Sequence, residues 1–312
     1  MANLSEKAAA WRERAMRFVE HWRVRRPAID HLIRTVQRYQ GQFGDRLAGA
    51  VTYFAFLSFF PLIALAYAIF GYVLTSRPEV EQALKAEIAQ QLPGLAGALN
   101  LDVIAQSKAT AGIIGLVGLL YAGLGAIDAL RGALREMSMT TAPPLNFFLG
   151  KLRDLTSLVL IGVTMLVSAG VSVLTSSAAG RVAEWLGFQS DDLGARGMVW
   201  AAGIVATVLA DWLLFMIFLG WVARPTRPFR VVAQGALLGA IGFGLLKRLA
   251  TLLLGYTLSN PLYGTFAVLV GLLVWINFSA RLVLYVASWT ATTGFGPPPS
   301  PTPLPSNGDA AG

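Results

Sequence analysis

Hydrophobic positions in this chain fall in blocks far longer than a soluble core helix needs. From Leu249 to Ala280, 32 consecutive residues carry no charge, and the only turn signals among them are Ser259, Asn260, Pro261 and Gly264. A helix crosses hydrocarbon with about 20 residues, so two spans must meet there in a tight hairpin, with Tyr263 and Gly264 at its turn. The same pattern predicts six spans, at about 47–74, 109–130, 155–180, 198–222, 231–256 and 263–290. The fold class expected is an all-α polytopic membrane protein of six transmembrane helices with an amphipathic, cytoplasmic N-terminal helical arm. Residues 1–45 form the arm, 46–292 the transmembrane domain, and 293–312, with the run PPPSPTPLP, a Pro-rich disordered tail.

Within the arm, Trp11, Ala15, Phe18 and Trp22 repeat at spacings of four, three and four, which places them on one helical face among six arginines. Such a helix suits an anionic membrane interface, where rings settle at headgroup depth and guanidiniums meet phosphates. A helix resting on the bundle and a nucleic-acid arm are the two alternatives. Pro27 ends this element, and Ile29, Leu32, Ile33, Val36 and Gln40 start a second amphipathic helix leading to Gly44. Pro61 interrupts the first span and is expected to kink it, with a neighbouring helix or Ser58 meeting the freed carbonyl. Pro78 to Leu92 has the spacing of a short amphipathic helix. Glycines at 112, 115, 118, 123 and 125, and again at 235, 239 and 242, let helices approach closely in lipid.

The chain is 55% hydrophobic and 13% charged, with a mean hydropathy of +0.59, which excludes an ordinary soluble domain. No cysteine is present, so disulfide and thiol chemistry are excluded, and no signal-peptide pattern precedes the first span. Lysine and arginine are distributed seventeen to five between alternate sides of the six spans. This asymmetry predicts an inner or plasma membrane protein with both termini cytoplasmic. The net charge of +8 is then a matter of topology and of anionic lipid headgroups at the arm; it does not call for a nucleic-acid partner.

Charges inside the spans are the candidate functional residues, because a charge at mid-membrane costs about 2.5–3.5 kcal/mol and normally faces a partner. Asp211 and Arg281 both lie roughly 15–17 Å from the cytoplasmic ends of their helices, at 1.5 Å per residue. Their equal depth predicts an Asp211–Arg281 ion pair, read either as a static lock or as a substrate- or proton-linked pair. Lys247, roughly 24 Å deep by the same count, and Arg248 are expected to face a polar cavity. Asp128 and Arg131, three residues apart at a helix end, are expected to close a local pair. Catalytic, metal and cofactor sites are not expected: the two histidines, His21 and His31, sit in the arm, and no phosphate loop or nucleophile elbow occurs.

FAFLSFFPL at 54–62, LYAGLGAIDALRGAL at 120–134, PTRPFRVVAQGALLGAI at 225–241 and NPLYGTFAVLVGLLVW at 260–275 together resemble the YihY/BrkB family of bacterial inner-membrane proteins, in order and spacing over roughly residues 40–292. Many members end the last span in Gly-Ala-Glu, whereas Val286, Ala287 and Ser288 stand here, so no role of that glutamate carries over. The ARLVLYVASW ending looks closer to an actinobacterial branch related to YhjD. The resemblance implies an envelope membrane protein to which ribonuclease, virulence, envelope-integrity and transport labels have been attached. The ribonuclease label is not carried forward, since two histidines in the arm and no cysteines are not expected to assemble a nuclease metal centre. Two functions are carried forward: a transporter or flippase-like exporter of an amphipathic, anionic, lipid-like substrate, and a non-transporting envelope-integrity scaffold. In the first, Lys247, Arg248 and Arg281 attract the headgroup and Asp211 is counter-ion and proton site. Homo-oligomerisation and the identity of an envelope partner stay open.

Overall fold

The computed structural model describes residues 21, 23, 25–76, 101–138, 146–164, 193–224, 227–257 and 264–294. Among these the regular structure is entirely helical. The elements are α1 (Pro27–Gly41), α2 (Gly44–Ser76), α3 (Leu101–Ser138), α4 (residues 147–164), α5 (Leu193–Met216) continuing as a π-helical turn (Ile217–Val222), α6 (Phe229–Thr257) and α7 (Gly264–Thr292). Stretches in α2, α3, α5, α6 and α7 are long and apolar enough to cross a membrane, which makes five among the described residues. The sixth expected span, 155–180, is described only to residue 164, where it is helical. The aromatic stripe of the arm, the 78–92 helix, Tyr263 and the tail lie outside the described residues.

Phe60, Ile113, Val117, Leu209, Ile241 and Leu245 all point away from the packed interior and are exposed. Apolar surface on that scale is stable where hydrocarbon surrounds it. The packing inside is organised on α7, which touches α1, α2, α3 and α6. The most deeply buried large side chains, Tyr39, Leu134, Met137, Phe215, Leu219 and Leu284, gather toward one end of the bundle, the end at which α1 docks.

α2 and α3 pack most extensively, and the reason is visible at Gly115. A Cβ placed there would lie 2.6 Å from the Leu65 amide nitrogen and 3.0 Å from the Pro61 carbonyl oxygen, so only a hydrogen lets the two backbones meet at the proline. Gly118 faces the Pro61 ring in the same way. The glycine pattern is thus a packing device, as expected. Ser58 does not reach the carbonyl that Pro61 frees, because its hydroxyl donates 2.8 Å to the Phe54 carbonyl one turn earlier in its own helix.

α1 docks with its polar side inward. Its buried residues are Asp30, Thr35 and Tyr39, while Leu32 is exposed. The physical reason is that α3 and α7 both end here with unpaired carbonyls. Arg38 donates to the Glu136 carbonyl at 2.6 Å and the Met137 carbonyl at 3.2 Å, and His31 Nε2 donates 2.9 Å to the Trp289 carbonyl. Thr35 lies 3.3 Å from Thr292, and the Tyr39 ring stacks on Tyr285 with centroids 3.8 Å apart. α1 therefore caps two helix C-termini at once, α3 with the cationic Arg38, the sign that the helix dipole favours, and α7 with the His31 ring N–H. Asp30 holds the donors' helix in register: it accepts from Arg23 at 2.6 Å and pairs with Arg34 at 2.8 Å.

Burial alone would raise the Asp30 carboxyl, but hydrogen bonds and charge from Arg23 and Arg34 outweigh it and hold the group below its ordinary value of 3.8. A lowered folded-state value means the stabilisation is complete above pH 3.8 and is lost as pH falls below it. Hydrogen exchange across residues 27–41 is expected to speed up over that acidic range in the native chain, and to be fast and independent of pH in Asp30→Asn, after correction for intrinsic rates. Gly115→Val is expected to destabilise the detergent-purified protein by about 1–3 kcal/mol through overpacking, checked by its thermal unfolding.

Candidate functional site

Asp211 stands on α5, Lys247 on α6, and the two antiparallel helices meet with Phe215 laid against Gly239, where a Cβ would strike the ring. That close approach sets the register. One turn from Phe215, Asp211 faces Phe243 and Lys247 across the interface. The Lys247 ammonium reaches Asp211 Oδ1 at 2.7 Å and Oδ2 at 2.9 Å, and lies 4.8 Å from the centre of the Phe243 ring. Trp212 Nε1 donates 3.0 Å to the Ala233 carbonyl and adds a second cross-link between the same helices. Ile217–Val222, the π-helical turn that follows, ends with the Ala223 amide bonded to the Phe218 carbonyl five residues back at 3.0 Å.

The pair is asymmetric. Side-chain exposure is 7% for Asp211 and 39% for Lys247. A carboxylate is sunk in packing while its lysine partner is partly exposed, and the Phe243 ring adds a cation–π contact.

The expected Asp211–Arg281 pair does not form. Arg281 instead pairs with Asp45 at 3.4 Å, at the α1 end of the bundle. Tyr39 donates to the same Asp45 oxygen at 2.8 Å. Burial and then the Asp45 carboxylate push the Tyr39 hydroxyl above the usual tyrosine range, so it stays a donor. Counting residues misled on depth because it located backbones, whereas ions meet at side-chain ends. α5 and α6 run in opposite directions and side chains lean toward a helix's N-terminus. Asp211 and Lys247 therefore lean toward each other and close the gap that counting put between them. Arg281 meets Asp45 because α2 begins beside it: Tyr39, which bonds Asp45, stacks on Tyr285, one turn along α7 from Arg281.

Arg248, next to Lys247 but about 100° further around α6, is exposed and does not join the pair. Gly264 begins α7, as a turn residue should. Asp128 and Arg131 do bond, and the pair is part of something larger: Arg131 also lies 3.3 Å from Asp154 on α4, and Lys151 lies 3.9 Å from Asp128. Asp45 and Asp154 were not singled out by sequence. The available signal was that each is an acid near the end of a span, opposite an unmatched arginine. Among the described residues no group of three or more His, Asp or Glu could hold a metal ion.

A family described as Virulence factor BrkB matches residues 35–298. The inner membrane protein YhjD of Escherichia coli (strain K12) is 30% identical over 281 residues, covering 87% of this chain and 83% of the relative. An uncharacterised protein of Dickeya dadantii (strain 3937) is 30% identical over 276 residues, covering 85% and 84%. A UPF0761 membrane protein of Azoarcus sp. (strain BH72) is 26% identical over 274 residues, covering 85% and 64%. No solved structure matches.

Lys247→Met strands a buried carboxylate, whereas Asp211→Asn leaves a partly exposed ammonium. Lys247→Met is therefore expected to cost more, up to about 3 kcal/mol, and the double variant less than the sum of the two. Thermal unfolding of the four proteins in one detergent measures the coupling.

Proposed function

We propose, from the premise that this chain belongs to the Virulence factor BrkB family, that it is an inner-membrane transporter of an amphipathic, anionic, lipid-like molecule in which Asp211 and Lys247 form the charge-handling pair. The observation that carries the reading is the asymmetry of that pair, one partner buried and the other partly exposed. An anionic headgroup can approach the exposed part of the Lys247 side chain and compete with Asp211 for the ammonium. The Asp211 carboxylate loses its counter-ion while the headgroup is bound, and the pair re-forms when the headgroup leaves. Arg248 offers a second cation on the exposed side of the same helix. With both termini on the cytoplasmic side, as the lysine and arginine distribution predicts, Arg281 and Asp45 stand at the cytoplasmic mouth. There a pair that opens and closes would gate access. No reaction is assigned.

The second reading is a non-transporting envelope scaffold. What favours it is α1, which ties the ends of α3 and α7 together through buried Tyr39, Arg38 and His31 and gives the bundle a fixed end on which a partner could assemble.

Reconstitution separates them. Vesicles containing the protein and a short-chain fluorescent phosphatidylglycerol are expected to exchange label between leaflets faster than empty vesicles, and Asp211→Asn to slow that exchange at least about tenfold while folding normally. A scaffold leaves exchange at the empty-vesicle rate with or without the substitution.

A further inference from the structure

A second charged cluster lies where α1 docks, away from the Asp211–Lys247 pair. Arg131 comes from α3, Arg153 from α4 and Arg224 from the turn after α5. Arg153 donates to the carbonyl of Trp221, three residues before Arg224, and its neighbour Asp154 faces Arg131. The charges of Arg224 and Arg131 both act on Arg153. Three guanidiniums drawn from three elements repel one another, so something must offset them. The local carboxylates do so in part. Asp128 bonds Arg131, while Asp154, wholly buried, lies 3.3 Å from Arg131 without a hydrogen bond to either of its oxygens. Arg153 Nε and Arg224 Nη1 are buried and have no hydrogen-bond partner, although Arg153 also donates to the Trp221 carbonyl and lies over the Trp221 ring at 4.3 Å.

Two further details show that the cluster is held in shape. Arg224 sits at φ 51°, the left-handed region that a non-glycine residue adopts at a cost of about 1 kcal/mol or more. Gly150 lies against Arg131, where a Cβ would come within 3.2 Å of Nη1, so the lack of a side chain there leaves room for the guanidinium. Buried donors without partners are expensive, and strain tends to persist where a ligand repays it.

We propose that Arg131, Arg153 and Arg224 form a binding site for a phosphate-bearing anion at this end of the bundle. Guanidinium forks match phosphate oxygens in pairs, and Arg153 and Arg224, each with a donor that no described residue accepts from, are the forks such an anion would take. The exposed edge of Trp221 beside them is at the level where tryptophan meets headgroups. Clustered arginines at the end of a membrane span are what anionic lipid headgroups are drawn to. Free phosphate offers the same oxygens. The site holds whether or not the chain transports, since it shares no residue with the Asp211–Lys247 pair.

The test uses the full chain, purified and stripped of lipid, with native mass spectrometry to count bound molecules. Phosphatidylglycerol is expected to bind at least about tenfold more tightly than phosphatidylcholine, and Arg153→Gln and Arg224→Gly each to remove most of that preference. Arg224→Gly also relieves the left-handed backbone, so its unfolding temperature without lipid is expected not to fall; loss of binding then reports a lost donor, not a lost fold. If millimolar inorganic phosphate raises the unfolding temperature of the wild type but not of Arg224→Gly, while the two lipids bind equally, the site stands and its anion is free phosphate. Equal binding of both lipids together with no response to phosphate overturns the proposal, as does an Arg224→Gly or Arg153→Gln variant that binds phosphatidylglycerol like the wild type.

Discussion

Hydrocarbon supplies no hydrogen bonds and little dielectric screening, so each charge and each helix end in this bundle has to be met by another part of the same chain. Lys247 across Asp211 is the case with the most consequences, at 2.7 Å between two helices that also share the Phe215–Gly239 contact and the Trp212 hydrogen bond. The ion pair and the packing are mutually dependent. Without glycine at 239 the helices stand apart and the ammonium loses its reach; without the pair the register has no polar reason to hold.

The same constraint explains the far end of the molecule. Helices that stop at a membrane surface leave four carbonyls each, and α1 meets those of α3 and α7 with Arg38 and His31. An amphipathic helix would ordinarily dock by its apolar face. Here the polar face goes inward because the surface it meets is made of helix C-termini, and Leu32 is left outside. Tyr39 links this strap to the Arg281–Asp45 pair, so the end of the bundle is one connected polar layer over an apolar core.

Two clusters of charge thus have different characters. Asp211 and Lys247 pair across two helices, the acid buried and the lysine partly exposed. Arg131, Arg153 and Arg224 outnumber the carboxylates beside them and keep donors unspent. The first arrangement suits a reversible exchange of partners, and the second suits retention of an anion.

Amino-acid order by itself determined the class of the protein, because a bilayer imposes a length and an apolar content that no other environment asks for. It also determined the close approaches at Gly115 and Gly239, since small residues at helical spacing serve little else in lipid, and the Asp128–Arg131 pair, which needs only one helical turn. Tertiary structure alone decided which distant charges meet. Residue counting gave Asp211 and Arg281 the same depth, yet side chains lean along their helices. Partner choice therefore followed helix direction and packing register, which put Lys247 against Asp211 and sent Arg281 to Asp45. Local chemistry is written in the chain at short range, while an interaction between helices depends on a geometry that no single helix contains.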